Sequence, residues 1–274
     1  MPFDHGVVLI NGRPGARFGP KKIKQEFFKL TKRQKYFKDV CVIDYGNIIP
    51  VSKNVKKTHE KVTLTVKRII KDGVIPVVIG GSHDISFGSV KSMFWVYKKF
   101  VQINIDAHYD VRPVVNGKIT SGTPFRRLLE GKYLCGKDFV ELGIHAPKNL
   151  PEHSEYLKKQ KATLIKLDFI NKIGIEKSMK IALAISGKNT NTVVFDIDID
   201  GVMKRFAPGC SAPGIQGFTK KQILQAAYIA GKNKNVKLFN LMEVSPVHDI
   251  NNKTVKLAAQ IVLAFIKGLN KRRV

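Results

Sequence analysis

Short runs rich in valine and isoleucine alternate along this chain with longer segments whose apolar residues recur at helical spacing. The short runs lack strict apolar–polar alternation, which is typical of strands that are buried on both faces of a sheet. The pattern predicts strands at Val40–Tyr45, Ile75–Gly80, Val101–Asp106, Phe139–Gly143, Thr163–Leu167, Thr192–Asp198 and Lys237–Val244. It predicts helices at Lys21–Leu30, Val55–Lys71, Ser86–Tyr97, Pro124–Glu130, Glu152–Lys159, Lys172–Ser186, Lys220–Ala230 and Thr254–Gly268.

This alternation of strands and helices predicts a three-layer α/β/α fold, in which a mostly parallel sheet lies between two layers of helices. The chain has 274 residues, of which 43% are hydrophobic, so it is long enough to bury a large core. No linker, low-complexity tract or internal repeat divides it. We therefore predict one domain over residues 1–274.

The charge of the chain is unusual, because 48 lysines and arginines face only 21 acidic residues, for a net charge of +27. Such a field attracts nucleic acids and other anionic surfaces. The basic residues are nevertheless spread along the whole chain, without a basic tail or a repeated basic–aromatic pattern. This distribution favours a solvated basic surface, and we expect no specific nucleic-acid partner.

Three further features concern the cellular compartment. No stretch of about 18 uncharged apolar residues exists, so no membrane span is expected. The opening residues lack the basic and apolar regions of a signal peptide. Cys41, Cys135 and Cys210 are scattered without CxxC spacing, which indicates a reducing compartment. We therefore expect a cytoplasmic protein.

Side chains of the kind that bind metals follow four of the predicted strands. In parallel α/β sheets the carboxyl ends of the strands meet at one edge, where ligands bind. The sequence therefore predicts a site at this edge. Its candidate residues are His83, Asp106, His108, Asp110, Asp198, Asp200 and Glu243.

The spacing of these residues points to metal ions. Asp106, His108 and Asp110 occupy alternate positions, so they can surround one point at a strand end. A single Asp or His there usually caps a helix or bonds to a loop. Three of them, opposite Asp198 and Asp200, would repel one another and take up protons unless cations lay between them. Carboxylates and imidazoles without thiolates favour two manganese ions, with iron, cobalt, nickel and zinc as alternatives.

These motifs resemble the signature blocks of the ureohydrolase family, which includes arginases, agmatinases and formimidoylglutamases. The blocks are Gly80-Gly81-Ser82-His83-Asp84, Asp106-Ala107-His108-Tyr109-Asp110, and the Asp-Ile-Asp run followed by Ala207-Pro208-Gly209. The segments 11–20 and 243–246 also resemble family segments. The resemblance extends from Pro2 to the last predicted helix, so it implies an arginase-like fold for the whole chain.

The resemblance implies a role for each candidate residue. One manganese would be held by His83, Asp106, Asp110 and Asp198. The other would be held by Asp106, His108, Asp198 and Asp200, so that Asp106 and Asp198 bridge the pair. Water activated by the metals would attack the carbon of a C=N group. Asp110 would then pass a proton to the leaving amine, while Glu243 pairs with the cationic nitrogen of the substrate.

The chain departs from the family pattern in three places. The family's first strand is missing before Pro2, which implies seven strands instead of eight, or eight if the opening segment pairs. The run Asp196-Ile-Asp198-Ile-Asp200 offers two registers for the metal-binding pair. Family spacing favours Asp198 and Asp200, with Asp196 buried behind them and hydrogen-bonded. The third departure is Ser121, which replaces a histidine found in members that hydrolyse guanidino compounds.

The third departure favours formimidoylglutamate as substrate, which hydrolysis would convert into glutamate and formamide. The Ser-Gly-Thr-Pro-Phe block that begins at Ser121, and Val111-Arg112 after the aspartate motif, are similar to formimidoylglutamase sequences. Ser121 would contribute a hydrogen bond to the substrate. A substrate with two carboxylates needs cations, for which we rank Arg112 first and Arg126 second. Arg127 is more typical of surface charge.

Other functions remain open at this stage. Agmatinase, or another guanidino hydrolase that releases urea, is the runner-up within the family. A basic nucleic-acid or anionic-surface binder has no use for clustered buried carboxylates, and a zinc deacetylase needs fewer ligands. We therefore expect a metal-dependent homo-oligomeric hydrolase of a small amino-acid-derived substrate.

Overall fold

The predicted α/β/α architecture is confirmed by a computed structural model of the chain, which describes residues 1–32, 40–52, 54–145, 147, 149–186 and 190–272. Within these residues six parallel strands form one sheet, in the order β1-β6-β5-β2-β3-β4. The strands are β1 (Val77–Ile79), β2 (Val101–Ile105), β3 (Phe139–Ile144), β4 (Thr163–Lys166), β5 (Val193–Asp198) and β6 (Val236–Met242).

Helices cover both faces of this sheet. They are α1 (His5–Leu9), α2 (Gly19–Lys32), α3 (Val55–Lys71), α4 (Ile85–Tyr97), α5 (Pro124–Glu130), α6 (Pro151–Lys159), α7 (Leu167–Ile173), α8 (Ile175–Ala184), α9 (Lys220–Lys232) and α10 (Lys253–Leu269). Short 3-10 turns lie at Ala16–Phe18, Gly136–Asp138, Ile199–Gly201 and Pro246–His248.

Two hydrophobic cores, one on each face of the sheet, follow from the alternation of side chains along the strands. Ile103 and Phe195 pack into the core formed with α2 and α7 to α10, whereas Phe139 and Val194 pack into the core formed with α3 to α6. Both faces of the central strands are therefore buried, including the polar side chains of Gln102 and Asn104 in β2.

The predicted strand Val40–Tyr45 is wrong. These residues have no strand or helix assignment, and the side chains of Val42 and Ile43 are exposed. Asp44 is tethered to Lys24 of α2 by an ion pair of 3.0 Å. A β-prone run becomes a strand only where a neighbouring strand supplies hydrogen bonds and packing. The predicted count of seven or eight strands is corrected accordingly to six within the described residues.

The single helix predicted over Lys172–Ser186 is also wrong, because two helices, α7 and α8, meet at Gly174. Gly174 has a φ of 86°, and its N–H donates to the carbonyl of Ile170 at 2.8 Å. A left-handed glycine is a common way to end a helix, because other residues are strained in that conformation. The chain then restarts in a new direction as α8.

Among the described residues, no helix combines the length and the apolar character needed to cross a membrane.

Candidate metal centre

The site lies where β1, β2, β5 and β6 end, at the carboxyl edge of the sheet. The loop after β1 carries His83 and is packed against the N-terminal segment. The N–H of Ser82 donates to the carbonyl of Phe3 at 2.9 Å, and a Cβ on Gly81 would lie 1.8 Å from that carbonyl oxygen. Only glycine permits so close an approach of two backbones, and this approach positions the loop.

His83 is at the centre of a group of four side chains. It is fully buried, and three carboxylate oxygens surround its Nδ1. They belong to Asp110 at 2.9 Å, Asp198 at 3.1 Å and Asp106 at 3.2 Å. The four ligand-type atoms lie within 4.8 Å of one another.

A second group lies beside the first and shares Asp106 with it. His108 Nδ1 is 3.2 Å from Asp200 Oδ2 and 3.5 Å from Asp106 Oδ1. The other oxygen of Asp106 faces His83 Nδ1, so one carboxylate reaches into both groups. This is the geometry expected of a bridging ligand between two ions.

The end of β5 separates the three aspartates of the Asp196-Ile-Asp198-Ile-Asp200 run. Asp198 belongs to the first group and Asp200 to the second, and the N–H of Asp200 donates to Asp198 Oδ1 at 2.8 Å. Asp196 lies in neither group. It is fully buried and accepts a hydrogen bond from Asn240 at 2.8 Å. The structure therefore brings Asp198 and Asp200 into the two groups and leaves Asp196 outside both.

Two residues of the edge have left-handed backbones without being glycine, namely Asp110 with a φ of 47° and Glu243 with a φ of 64°. Such conformations cost free energy and cluster at functional sites. Glu243 is buried, and its Oε1 accepts a hydrogen bond from the backbone N–H of His83 at 2.8 Å. Its Oε2 has no hydrogen-bond partner among the described residues.

The crowding of buried carboxylates perturbs their protonation. Burial and the nearby charge of Asp106 raise the pKa of Asp198 to about 6. Burial and the charge of Asp198 raise the pKa values of Asp200 and Glu243 well above the usual range. Burial alone would lower the pKa of His83, but the surrounding aspartates outweigh it and hold that pKa well above its usual value. So many like charges call for a cation among them.

Buried side-chain atoms that lack hydrogen-bond partners also fit a metal site. His83 Nδ1 has three oxygens within 3.2 Å but makes no hydrogen bond in suitable geometry, and Asp200 Oδ1 likewise has no partner among the described residues. Atoms that are close together but make no hydrogen bonds with one another are expected where all of them are directed at one metal ion. Mixed oxygen and imidazole donors without thiolate suit manganese.

The residues predicted to bind substrate differ in their surroundings. Arg112 is half-buried, its N–H donates to the carbonyl of Gly122 at 2.8 Å, and it forms no ion pair within the described residues. Arg126 Nε is paired with Glu130 at 2.7 Å, and its guanidinium lies 4.1 Å from the ring centre of Tyr156. Ser121 is half-buried, and its N–H donates to the carbonyl of Gly6 at 3.1 Å.

A buried network next to His83 was not predicted from the sequence. His59 Nε2 lies 2.7 Å from Asp84 Oδ2, and Ser82 donates to the other oxygen of Asp84. Arg127, expected as surface charge, donates to His59 Nδ1 at 3.0 Å and lies over the ring of Phe87. A signal was present, since His59 lies on the apolar face of α3.

Comparison with known proteins gives a consistent result. The sequence profile of the arginase family matches residues 1–267. The chain is 32% identical over 267 residues to the formimidoylglutamase of Staphylococcus carnosus (strain TM300), covering 96% of this chain and 83% of the relative. It is 28% identical over 264 residues to the formimidoylglutamase of Bacillus subtilis (strain 168), covering 93% of this chain and 82% of the relative.

A solved structure extends the comparison to three dimensions. The crystal structure of Trypanosoma cruzi formiminoglutamase with Mn²⁺ matches this fold with a TM-score of 0.91 and 28% sequence identity. The match covers 99% of this chain and 92% of that chain.

Proposed function

Because the chain belongs to the arginase family, we propose that it is a manganese-dependent hydrolase that converts formimidoylglutamate into glutamate and formamide. The observation that carries this proposal is the pair of His/Asp groups joined through Asp106 at the carboxyl edge of the sheet. The similarity to formimidoylglutamases, one of them solved with Mn²⁺, supports it. A binder of nucleic acid or anionic surfaces would not need this buried acidic cluster.

The ligand assignment divides the six metal-type residues into two sets. We assign one Mn²⁺ to His83, Asp106, Asp110 and Asp198. We assign the other to Asp106, His108, Asp198 and Asp200. Asp198 would be shared by the two sets in this scheme: its Oδ2 lies 3.1 Å from His83 Nδ1, and its Oδ1 accepts a hydrogen bond from the backbone N–H of Asp200. When bound, two such ions supply Lewis-acid activation of water and stabilise negative charge in the transition state.

Two acidic residues would act on the substrate, one by binding it and the other by transferring a proton. The free Oε2 of Glu243 can accept hydrogen bonds from the cationic formimidoyl nitrogen, because its Oε1 is already held by the backbone of His83. This contact orients the C=N carbon. Asp110, at 2.9 Å from His83, would take up a proton from the attacking water and pass it to the leaving amine of glutamate.

The carboxylates of the substrate would be recognised by cations. Arg112 suits this role best, because its guanidinium has no acidic partner among the described residues. Arg126 would first have to leave Glu130 and Tyr156, so it ranks second. Ser121 would contribute a hydroxyl hydrogen bond near the formimidoyl group. A serine cannot relay protons as a histidine does, which suits this substrate better than a guanidino compound.

The proposal includes three expectations about domain organisation, cellular compartment and assembly. Residues 1–274 would act as one arginase-like domain, in keeping with the single sheet. The enzyme would work in the cytoplasm, since Cys41, Cys135 and Cys210 are all unpaired. It would form homo-oligomers, for which exposed apolar side chains such as Ile43 and Ile49 offer contact area. Light scattering on the purified protein tests the last of these.

The substrate is tested by comparing kcat/KM of the manganese-loaded protein for formimidoylglutamate, agmatine, arginine and guanidinobutyrate. We expect formimidoylglutamate to be preferred by at least about a hundredfold, because a dicationic substrate such as agmatine is repelled by the arginines. Formamide and glutamate should appear in equal amounts. A preference for agmatine with release of urea would overturn the substrate and leave the metal centre standing. Full activity after exhaustive chelation would overturn the metal centre.

A further inference from the structure

A row of four buried polar side chains crosses the centre of the sheet beneath the metal centre. The strands are paired in register so that Glu141 of β3, Asn104 of β2, Asp196 of β5 and Asn240 of β6 are neighbours in turn. All four are fully buried. Buried polar groups need partners, so each side chain of this row has to be explained.

Hydrogen bonds divide the row into two pairs. Asn104 Nδ2 donates to Glu141 Oε2 at 2.9 Å, and Asn240 Nδ2 donates to Asp196 Oδ2 at 2.8 Å. The two pairs differ in what they reach. Asp196 Oδ1 lies 3.7 Å from His83 Nε2. In the other pair it is the amide that reaches the metal centre, since Asn104 Nδ2 also donates to Asp106 Oδ2 at 3.4 Å.

The ring of His83 therefore lies between two acidic environments. Its Nδ1 faces Asp106, Asp110 and Asp198, and its Nε2 faces Asp196. An imidazole nitrogen binds a metal through its lone pair, so a metal-bound Nδ1 carries no proton and the proton must lie on Nε2. The acceptor available to that proton is Asp196 Oδ1. A shift of about 0.7 Å closes the 3.7 Å gap to an ordinary hydrogen bond.

We propose that Asp196 is a positioning residue, which keeps the proton of His83 on Nε2 and so turns the lone pair of Nδ1 toward the metal. This inference rests on the proposed function, because it assumes that His83 binds manganese. Asn240 completes the device, since its NH2 group holds Asp196 Oδ2 and leaves Oδ1 directed at the imidazole. Partners of this kind fix the orientation of metal-binding histidines in general.

The isosteric variant Asp196→Asn keeps the volume of the side chain and changes only its hydrogen bonding. It therefore tests whether Asp196 accepts a hydrogen bond from His83 or only fills space beside it. The new amide would turn its oxygen toward the donating NH2 of Asn240 and its own NH2 toward His83. That NH2 would donate to Nε2 and drive the ring proton onto Nδ1, the atom that has to bind the ion. The double variant Asp196→Asn/Asn240→Asp reverses the polarity of the pair, so that the amide oxygen at position 196 again faces Nε2.

The experiment measures Mn²⁺ stoichiometry and affinity by titration, and the exchange-coupled Mn²⁺ pair by electron paramagnetic resonance. We expect two ions and a coupled signal for the wild type. Asp196→Asn should lose about 10- to 100-fold in affinity for one ion, together with the coupled signal. Glu141→Gln, the matched change in the other pair of the row, should keep both ions. The double variant should recover at least about tenfold of the lost affinity.

Thermal unfolding of the metal-free proteins shows whether each variant is folded. If Asp196→Asn does not fold, Asp196→Leu replaces it, because an apolar side chain of similar size offers no acceptor to the imidazole and should also cost one ion. Two tightly bound ions in a folded Asp196 variant would overturn the inference, and so would a double variant as weak as Asp196→Asn. A wild type that binds no Mn²⁺ pair would instead overturn the proposed function.

Discussion

His59 Nε2 lies 2.7 Å from Asp84 Oδ2, and both side chains are sealed from solvent directly beside His83. Arg127 approaches the same imidazole from α5 and donates to its Nδ1 at 3.0 Å. The network therefore joins α3, the loop that carries His83, and the helix that follows Ser121. Removing one member of such a buried network leaves the others without a partner.

Replacing Arg127 with methionine should destabilise the fold, because the buried His59 Nδ1 would lose the partly buried guanidinium that donates to it. We expect the free energy of unfolding to fall by about 1–3 kcal/mol, the cost of leaving a buried acceptor without its donor. Arg126→Met is the matched control on the same helix, where the lost ion pair with Glu130 is partly exposed and worth about 0–1 kcal/mol. Urea unfolding of both metal-free variants measures the difference. Equal losses would show that the buried network adds nothing.

The metal-free protein should become less stable as the pH rises from about 4 to about 6. The pKa of Asp198 is raised from 3.8 to about 6, so in this window the folded chain holds a proton that the unfolded chain has released. The raised pKa of His83 acts in the same direction. The stabilisation of the folded chain by protonated His83 is complete below about pH 6.5 and is lost as the pH rises further. Thermal unfolding from pH 4 to 8 measures the trend, and Asp198→Asn should flatten it below pH 6.

Manganese should reverse this trend, because the ion binds only to deprotonated ligands and therefore competes with protons. The rise in Tm on adding Mn²⁺ should be larger at pH 7.5 than at pH 5.5. A manganese effect that does not depend on pH would show that the ion binds away from these carboxylates.

Asp106→Asn should abolish metal binding and activity together, because Asp106 is the side chain that belongs to both groups. We expect kcat to fall by roughly a thousandfold or more, as follows from losing several kcal/mol of transition-state stabilisation. Metal analysis and turnover are measured on the same preparation. Asp168→Asn, on the exposed surface, is the control and should keep both properties. An active, metal-loaded Asp106→Asn protein would contradict the ligand assignment.

Arg112→Ala should lower kcat/KM for formimidoylglutamate by about 10- to 100-fold, which corresponds to one lost charge-assisted hydrogen-bonding contact. Arg126→Ala should change it by less than about threefold, because Arg126 is already paired with Glu130. Turnover of agmatine should not fall in either variant, since agmatine has no carboxylate to bind. Unchanged formimidoylglutamate kinetics in Arg112→Ala would remove Arg112 from the substrate site.

The sequence alone determined the architecture and the location of the site. Strands buried on both faces and separated by amphipathic helices indicate a parallel sheet between helix layers, because the crossover helices cover both of its faces. The carboxyl ends of parallel strands share one edge, so residues placed just after four strands, such as His83 and Asp106, had to meet. Spacing before Ala207-Pro208-Gly209 favoured Asp198 and Asp200 over Asp196, and these two are the aspartates of the run that lie in the His/Asp groups.

Only the tertiary structure decided the features that depend on pairing between distant segments. Val40–Tyr45 has the composition of a strand, but without a neighbouring strand it stays exposed. Arg127 and His59 are 68 positions apart and become partners only when α3 and α5 pack on α4. The contact of Asn240 with Asp196 requires the register of two strands that are adjacent only in the folded sheet. The local sequence pattern predicts the type of each element and the place where each strand ends. Strand register and contacts between distant residues depend on how the elements pack, and a short stretch of sequence does not contain that information.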